Sequence, residues 1–286
     1  MSGLLILTYH RVLRDADPLR PGDITLISFE SQMRVLRRFF NVLPLHDGIR
    51  RLREDALPGR AVCVTFDDGY ADNHDIAWPV MHRLGLPMTI FVAAAYLDGG
   101  RMWNDSVIEL FRHLPGPEAD LREFGLGCYS IDSQEQRLQA IHEVIGALKY
   151  RQHQERKHIA DALQKICSSP FSTDLMMTSE QVRRLSDDGV EIGGHTMSHP
   201  ILASVDDDTA AREISEGKQV LENLLGKPMH GFAYPNGRPN EDYEAKHAEM
   251  VRETGFEFAV STRQAIATRH CDQWELPRFT PWAEAG

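Results

Sequence analysis

A parallel α/β fold follows from three features of this 286-residue chain. The run Ala61-Val62-Cys63-Val64-Thr65-Phe66 is apolar or β-branched throughout, as suits a central parallel strand covered on both faces. Strand and helix signals alternate around it, the rhythm of right-handed βαβ units. The length suits one large core, and α/β barrels commonly reach this size as a single domain.

Taken in order, Leu4 to Thr8 reads as a short strand that delivers Tyr9-His10-Arg11 at its carboxyl end. Ser28 is the expected cap of a helix carrying Phe29, Met33, Leu36 and Phe40 at helical spacing. The central run ends in Asp67-Asp68-Gly69, and ligands of parallel sheets gather beyond the carboxyl ends of the strands. Two adjacent carboxylates ionise together most readily beside a cation, although Asp-Asp-Gly alone is also ordinary turn chemistry. A helix near Ile76 to Leu84, with Pro79 in its first turn and Gly85 at its end, leads to a strand at Met88 to Ala93.

Between about Gly99 and Met177 the pattern changes to helices without intervening strands, which marks an insertion. Trp103, Val107, Leu110 and Phe111 share a helical face, Ser133-x-x-Gln136 forms a capping box, and Leu138, Ile141, Ile145 and Leu148 continue the apolar stripe. The mixed charges from Lys149 to His158 read as a solvated helix face. The rhythm resumes with a helix capped by Thr178-x-x-Gln181 and ending at Gly189. A strand from Val190 to Gly193 then leads into Gly194-His195-Thr196-Met197-Ser198-His199-Pro200.

A formal charge of -11 argues against a nucleic-acid or anionic-membrane partner. Leu4 to Leu7 is too short for the apolar region of an export signal, and Met88 to Leu97 is too short for a transmembrane segment. Cys63, Cys128, Cys167 and Cys271 lack Cys-x-x-Cys spacing, so reduced thiols in a cytoplasmic protein are expected.

His195 and His199 can reach one point if their segment turns helically, and imidazole is the commonest transition-metal ligand. Core or surface histidines are the alternative. Two histidines and one carboxylate leave positions open for water and substrate, the arrangement of a hydrolytic metal centre.

Thr65-Phe66-Asp67-Asp68-Gly69 together with His195-Thr196-Met197-Ser198-His199 resembles the first two motifs of the polysaccharide deacetylases, the NodB-homology domain of carbohydrate esterase family 4. Thr89-Ile90-Phe91-Val92 is similar to that family as well. The resemblance implies a distorted (β/α) barrel of about seven parallel strands spanning residues 1–286, with the helical insertion at about 99–177. It also implies a divalent metal, with Zn2+ the first choice, and hydrolysis of N-acetyl groups on amino sugars of a polysaccharide or glycan precursor. Asp68, His195 and His199 are then the metal ligands, expected to follow three separate strands, and Asp67 is the general base.

Phe232-Ala233-Tyr234-Pro235-Asn236-Gly237 resembles the third motif, with Ala233 in the place of the usual arginine and Asn236 in that of the tyrosine. The Asn236 amide is the implied oxyanion donor, with Tyr234 and Pro235 against the substrate. The family's C-terminal histidine motif is absent. Leu5-Ile6-Leu7-Thr8-Tyr9-His10 takes its place, as in the permuted members that deacetylate poly-N-acetylglucosamine, and makes His10 the general acid. A barrel permits this, because its first and last strands are neighbours. Arg278, on the last strand, either replaces the missing arginine by pairing with Asp67 or is a structural surface arginine. Two other activities remain compatible: an amidase acting on a non-sugar amide, and a catalytically silent glycan-binding module.

Overall fold

The computed structural model describes residues 3–167 and 171–281, so residues 168–170 of the expected insertion and both chain ends lie outside it. Seven strands form one parallel sheet: β1 (Leu5–Tyr9), β2 (Asn41–Val42), β3 (Ala61–Phe66), β4 (Thr89–Val92), β5 (Glu191–Gly194), β6 (Gly231–Ala233) and β7 (Phe258–Val260). β3 is central and buried along its whole length, as its unbroken apolar run requires. On one side it pairs with β1, from Leu5 opposite Val62 to Tyr9 opposite Phe66. On the other, β2 pairs with its start and β4 with its end. The order continues β4-β5-β6-β7, and the remaining gap is spanned by residues 276–279, where Leu276 bridges Val260 and Phe279 bridges Leu7, both in parallel. The predicted barrel of about seven parallel strands is therefore the observed fold, although Arg278 lies on this bridging segment rather than on a full strand.

Side-chain alternation sends the strands' residues into two apolar clusters. Ile6, Cys63, Phe91, Ala233 and Val260 pack with Leu45, Ile49 and Leu52 of α2 (Leu45–Arg53). The start of α2 is fixed by Glu191, whose carboxylate accepts from the Leu45 and His46 amides at 3.0 and 3.3 Å. Leu7, Val64, Ile90, Ile192 and Phe232 belong to the larger cluster, which the surrounding helices cover. These are α1 (Leu26–Phe39), α3 (Trp78–Leu84), α7 (Ser179–Asp187), α8 (Asp207–Leu225) and α9 (Ala245–Glu253).

Four local expectations are corrected. α1 begins a turn earlier than Ser28 implied: Thr25 is its cap, and its hydroxyl accepts from the Ser28 amide. The helix expected from Ile76 starts as a π-turn over Asn73–Ala77 that contains this residue, and α3 itself begins at Trp78 with Pro79 in its first turn as read. The insertion contains α4 (Trp103–His113), α5 (Gln134–Lys149) and α6 (His153–Leu163), and also a short antiparallel pair, Glu118–Asp120 with Cys128–Ser130. Three-residue strands are too short to leave a readable alternation. Finally, Arg156 in the stretch taken as a solvated face is buried, with its guanidinium 4.9 Å from the Trp103 ring centre. The capping boxes at Ser133 and Thr178 are present as read.

Candidate metal centre and active site

Segments beyond the carboxyl ends of four strands, β1, β3, β5 and β6, converge on one rim of the barrel. β3 ends at Phe66 and places Asp67 and Asp68 in a buried position. β5 ends at Gly194 and supplies both His195 and His199, so the three candidate ligands follow two strands rather than three. The 195–199 segment is not helical, contrary to the reading from histidine spacing; left-handed residues at Thr196 (φ 63°) and His199 (φ 55°) fold it back. Threonine is β-branched and strongly disfavours that conformation. Four of the eight non-glycine residues with positive φ among those described, Asp68, Thr196, His199 and Asn236, lie at this site. Such strain persists only where the surroundings over-determine it, and it clusters at functional sites.

Those surroundings are visible. α8 presses against the histidine loop at Gly217, where an added Cβ would lie 2.6 Å from the Thr196 carbonyl carbon. From the same helix Glu213 accepts from the Met197 and Ser198 amides at 3.0 and 2.7 Å. Neither residue carries a sequence signal, because each reads as one position on an amphipathic helix. His195 Nδ1 lies 2.7 Å from the Ala233 carbonyl oxygen, to which it donates, so its Nε2 lone pair faces the site. Ala233 thus contributes to the site through its backbone.

The Nε2 atoms of His195 and His199 each lie 3.3 Å from Asp68 Oδ1. Neither contact has hydrogen-bond geometry, and that oxygen is buried without a donor among the described residues. A lone pair and a carboxylate oxygen held face to face out of water need a cation between them. Ligands about 2.0–2.1 Å from one tetrahedral ion lie about 3.4 Å apart, so the residues fit a divalent metal. Burial opposes ionisation of Asp68, yet positive charge on the two imidazoles, the part a bound cation would take, holds its carboxyl well below the usual range. Burial likewise opposes the charge on His195, which Asp68 and Asp67 more than offset, while at His199 burial prevails and its pKa falls. A second group of potential ligands, His46, His230 and Glu257, lies at the opposite end of the barrel. It is partly exposed and its ring nitrogens already bond to the Glu257 carboxylate at 2.9 and 2.6 Å, so it leaves no comparable orphan.

Arg278 is buried and forms two parallel bonds to Asp67, Nη1 to Oδ1 at 2.8 Å and Nη2 to Oδ2 at 2.7 Å. Of the two readings open for this residue, the surface arginine is excluded. Its guanidinium is aligned by the Thr65 hydroxyl at 3.1 Å and the Ser261 carbonyl at 3.0 Å. Burial opposes ionisation of Asp67, and Arg278 outweighs it to keep the carboxyl below its ordinary pKa.

Asp67, Asp68, His195, His199, His10 and Asn236 all line one cavity of about 250 Å³. His10 arrives at the end of β1, with its carbonyl accepting from Asn73 Nδ2 at 2.8 Å. Asn236 has φ 60°, and its backbone amide has no partner among the described residues. The insertion supplies the opposite wall through Met102, Trp103, Asn104, Ile145 and Lys149. Tyr234 and Pro235 do not line the cavity. Tyr234, the residue after β6, is fully buried, stacked 3.7 Å from the Tyr243 ring, with its hydroxyl donating to the Trp274 carbonyl; Pro235 is also buried.

A parallel barrel with acids and histidines gathered at the carboxyl rim of its strands defines the class of protein, and comparison with known proteins narrows it. The polysaccharide deacetylase family model matches residues 132–259, which takes in the histidine loop but not Asp67 and Asp68. YxkH of Bacillus subtilis, assigned by name to the polysaccharide deacetylases, is 23% identical over 277 residues, covering 96% of this chain and 70% of its own. The poly-beta-1,6-N-acetyl-D-glucosamine N-deacetylase of Staphylococcus epidermidis is 21% identical over 293 residues, covering 97% of this chain and 78% of its own. Among solved structures, the Streptococcus pyogenes deacetylase PplD superposes with a TM-score of 0.64 at 17% identity, over 98% of this chain and 92% of that one. IcaB from Ammonifex degensii gives 0.62 at 21% identity, over 98% and 94%. The chain is thus related to the polysaccharide deacetylases and shares their barrel, as its motifs implied.

Proposed function

We propose that this protein is a metal-dependent hydrolase that removes N-acetyl groups from amino sugars of a polysaccharide or glycan precursor, and that residues 1–286 act as one deacetylase domain with its insertion over the cleft. The observation that carries this reading is the orphaned Asp68 oxygen facing two imidazole nitrogens, next to a second carboxylate braced by its own arginine. A divalent ion held by Asp68, His195 and His199, with Zn2+ the first choice for that donor set, would supply a Lewis acid for the acetyl carbonyl and the attacking water.

The chain's own residues carry the proton traffic. Asp67 keeps free lone pairs beyond its two bonds to Arg278, and its carboxylate takes a proton from water as the new C–O bond forms. The Asn236 amide donates to the oxygen on which negative charge develops. His10 hands its proton to the nitrogen as the C–N bond breaks, releasing acetate and a free amine. Among the described residues no helix is long and apolar enough to cross a membrane. The four unpaired cysteines support a reducing, cytoplasmic setting.

The test is acetate release by the metal-loaded protein, with a chelator-treated control, on N-acetylglucosamine oligomers and on small non-sugar amides. Metal-dependent release from the oligomers is expected. Release only from non-sugar amides would move the reading to a general amidase, and oligomer binding without release would make it a glycan-binding module. His10→Gln should be slow on the amide yet much less impaired on an activated ester, whose leaving group departs without a proton. Equal loss on both substrates would remove the acid role.

A further inference from the structure

Beside the catalytic cavity lies a smaller one of about 50 Å³, whose lining includes Arg101, Trp103, His153, Arg156, Lys157 and Asp161. Trp103 lines both cavities, so they share a wall. Arg156 is 2% exposed. Its Nη1 donates to the Lys149 carbonyl at 2.6 Å and its Nη2 to His153 Nδ1 at 3.3 Å; Nε–H and the remaining Nη hydrogens have no acceptor among the described residues. Arg101 is satisfied only by neutral groups: the Ser106 hydroxyl, the Ser172 carbonyl and the Gln164 side-chain oxygen. Neither these two arginines nor Lys157 forms an ion pair among the described residues, although the chain as a whole carries -11. Asp161 alone contributes an opposing charge to the lining.

A guanidinium taken out of water without a counter-charge is costly, and burial indeed works against the charge on Arg156 with no carboxylate to offset it. The Trp103 face and one carbonyl compensate only in part. The cavity is also tied to the candidate metal loop, since His153 Nε2 lies 3.0 Å from the Ser198 hydroxyl, which bonds to Glu213.

We propose that the insertion forms an oxyanion subsite here, in which Arg156, flanked by Arg101 and Lys157, receives a carboxylate or phosphate on the sugar next to the acetamido sugar. The proposal rests on the deacetylase reading and adds the substrate class: an N-acetylated glycan with an anionic neighbour rather than a neutral homopolymer. Planar guanidinium suits both oxyanions, which makes arginine a fitting reader. Lys149, on the catalytic side of the shared wall, extends the positive potential toward the acetamido position.

The test compares three oligomers of equal length on the metal-loaded full chain: N-acetylglucosamine alone, N-acetylglucosamine alternating with glucuronate, and the neutral oligomer carrying phosphate esters. An anionic oligomer should show a KM about tenfold or more lower than the neutral one, the scale of one charge-assisted hydrogen bond. The advantage should shrink as salt is raised. Which anionic arm gains tells carboxylate from phosphate. Arg156→Gln should bring the ratio of the KM values close to one. Because Arg156 is buried, the exposed Lys157→Gln variant repeats the test without risk to folding and should reduce the ratio. Calorimetric binding of the same oligomers decides the subsite even if no acetate appears, which separates its failure from that of the deacetylase reading. Equal affinity for neutral and anionic oligomers, or a preference that both variants retain, overturns the proposal.

Discussion

Asp67 is set apart from its neighbour by a single partner. Asp68 faces two imidazoles, whereas Asp67 faces a buried guanidinium that fixes its charge and its orientation, which in the proposed mechanism leaves it to act as base and Asp68 to act as ligand. Asp67→Asn should retain metal, measured by elemental analysis, and lose about 10²- to 10⁴-fold in turnover, the range for a general base. Loss of metal in that variant would exchange the roles of the two aspartates. Arg278 makes a second prediction. With it removed, burial is opposed only by the weaker influence of His195 and His10, so the pKa of Asp67 rises and the acid limb of the pH–turnover profile in Arg278→Gln should move to higher pH. The same change leaves a buried carboxylate unpaired and should cost about 3–5 kcal/mol by urea unfolding. An unmoved acid limb would show that Arg278 does not tune the base.

At the scale of elements, the contact between α8 and the histidine loop holds the site in shape. The loop carries two left-handed non-glycine residues, which cost on the order of 1–3 kcal/mol each unless packing compels them. Gly217 lets the helix backbone approach, and Glu213 satisfies two loop amides that would otherwise be unpaired. Gly217→Ala places a methyl group against the Thr196 backbone, so helix and loop must separate. Stability should fall by about 1–3 kcal/mol, as for overpacking, despite alanine's better helix propensity. Metal affinity should weaken with it, while a Gly146→Ala change on α5, where an added Cβ meets nothing within 4 Å, should leave affinity unchanged. Equal effects at the two positions would deny α8 a part in shaping the site.

For the whole molecule, closure of the ring by residues 276–279 brings the two ends of the chain to the rim that carries the candidate site. The segment bonds to β7 through the Ser261 amide and to β1 through the Thr8 amide, which sets Arg278 between Thr65 and Asp67 and leaves His10 at the neighbouring rim. Metal bound by the folded chain should therefore stabilise it globally, by about 2.7 kcal/mol at a free concentration a hundred times Kd. Melting temperature should rise with added metal and fall with chelator, and the His195→Ala, His199→Ala double variant should show neither shift. Acid should act in the same direction as metal removal. The folded pKa of Asp67 lies below its unfolded value, so its stabilisation is complete above the ordinary carboxylate range and is lost as pH falls through the depressed value.

The parallel α/β class, the central strand and the carboxylates and histidines after it are legible in the sequence because those features are local: an unbroken apolar run, capping boxes, and short motifs directly after strands; the barrel itself was implied by the family resemblance of those motifs. The sequence also placed His10 at a strand end, since β1 is legible as a run ending in that residue. The pairing of Arg278 with Asp67 is visible only in the packed chain, because a lone arginine near a chain end reads the same whether it faces water or a carboxylate more than two hundred residues away. The same holds for Tyr234, which local order places beside the cleft but which turns into the core against Tyr243. The histidine loop shows the limit most plainly. Spacing suggested a helical turn, but the observed geometry comes from left-handed residues that no local preference favours and that α8 imposes from outside. Short-range propensity writes the elements into the chain, whereas strain and long-range charge pairing exist only once distant segments are packed together.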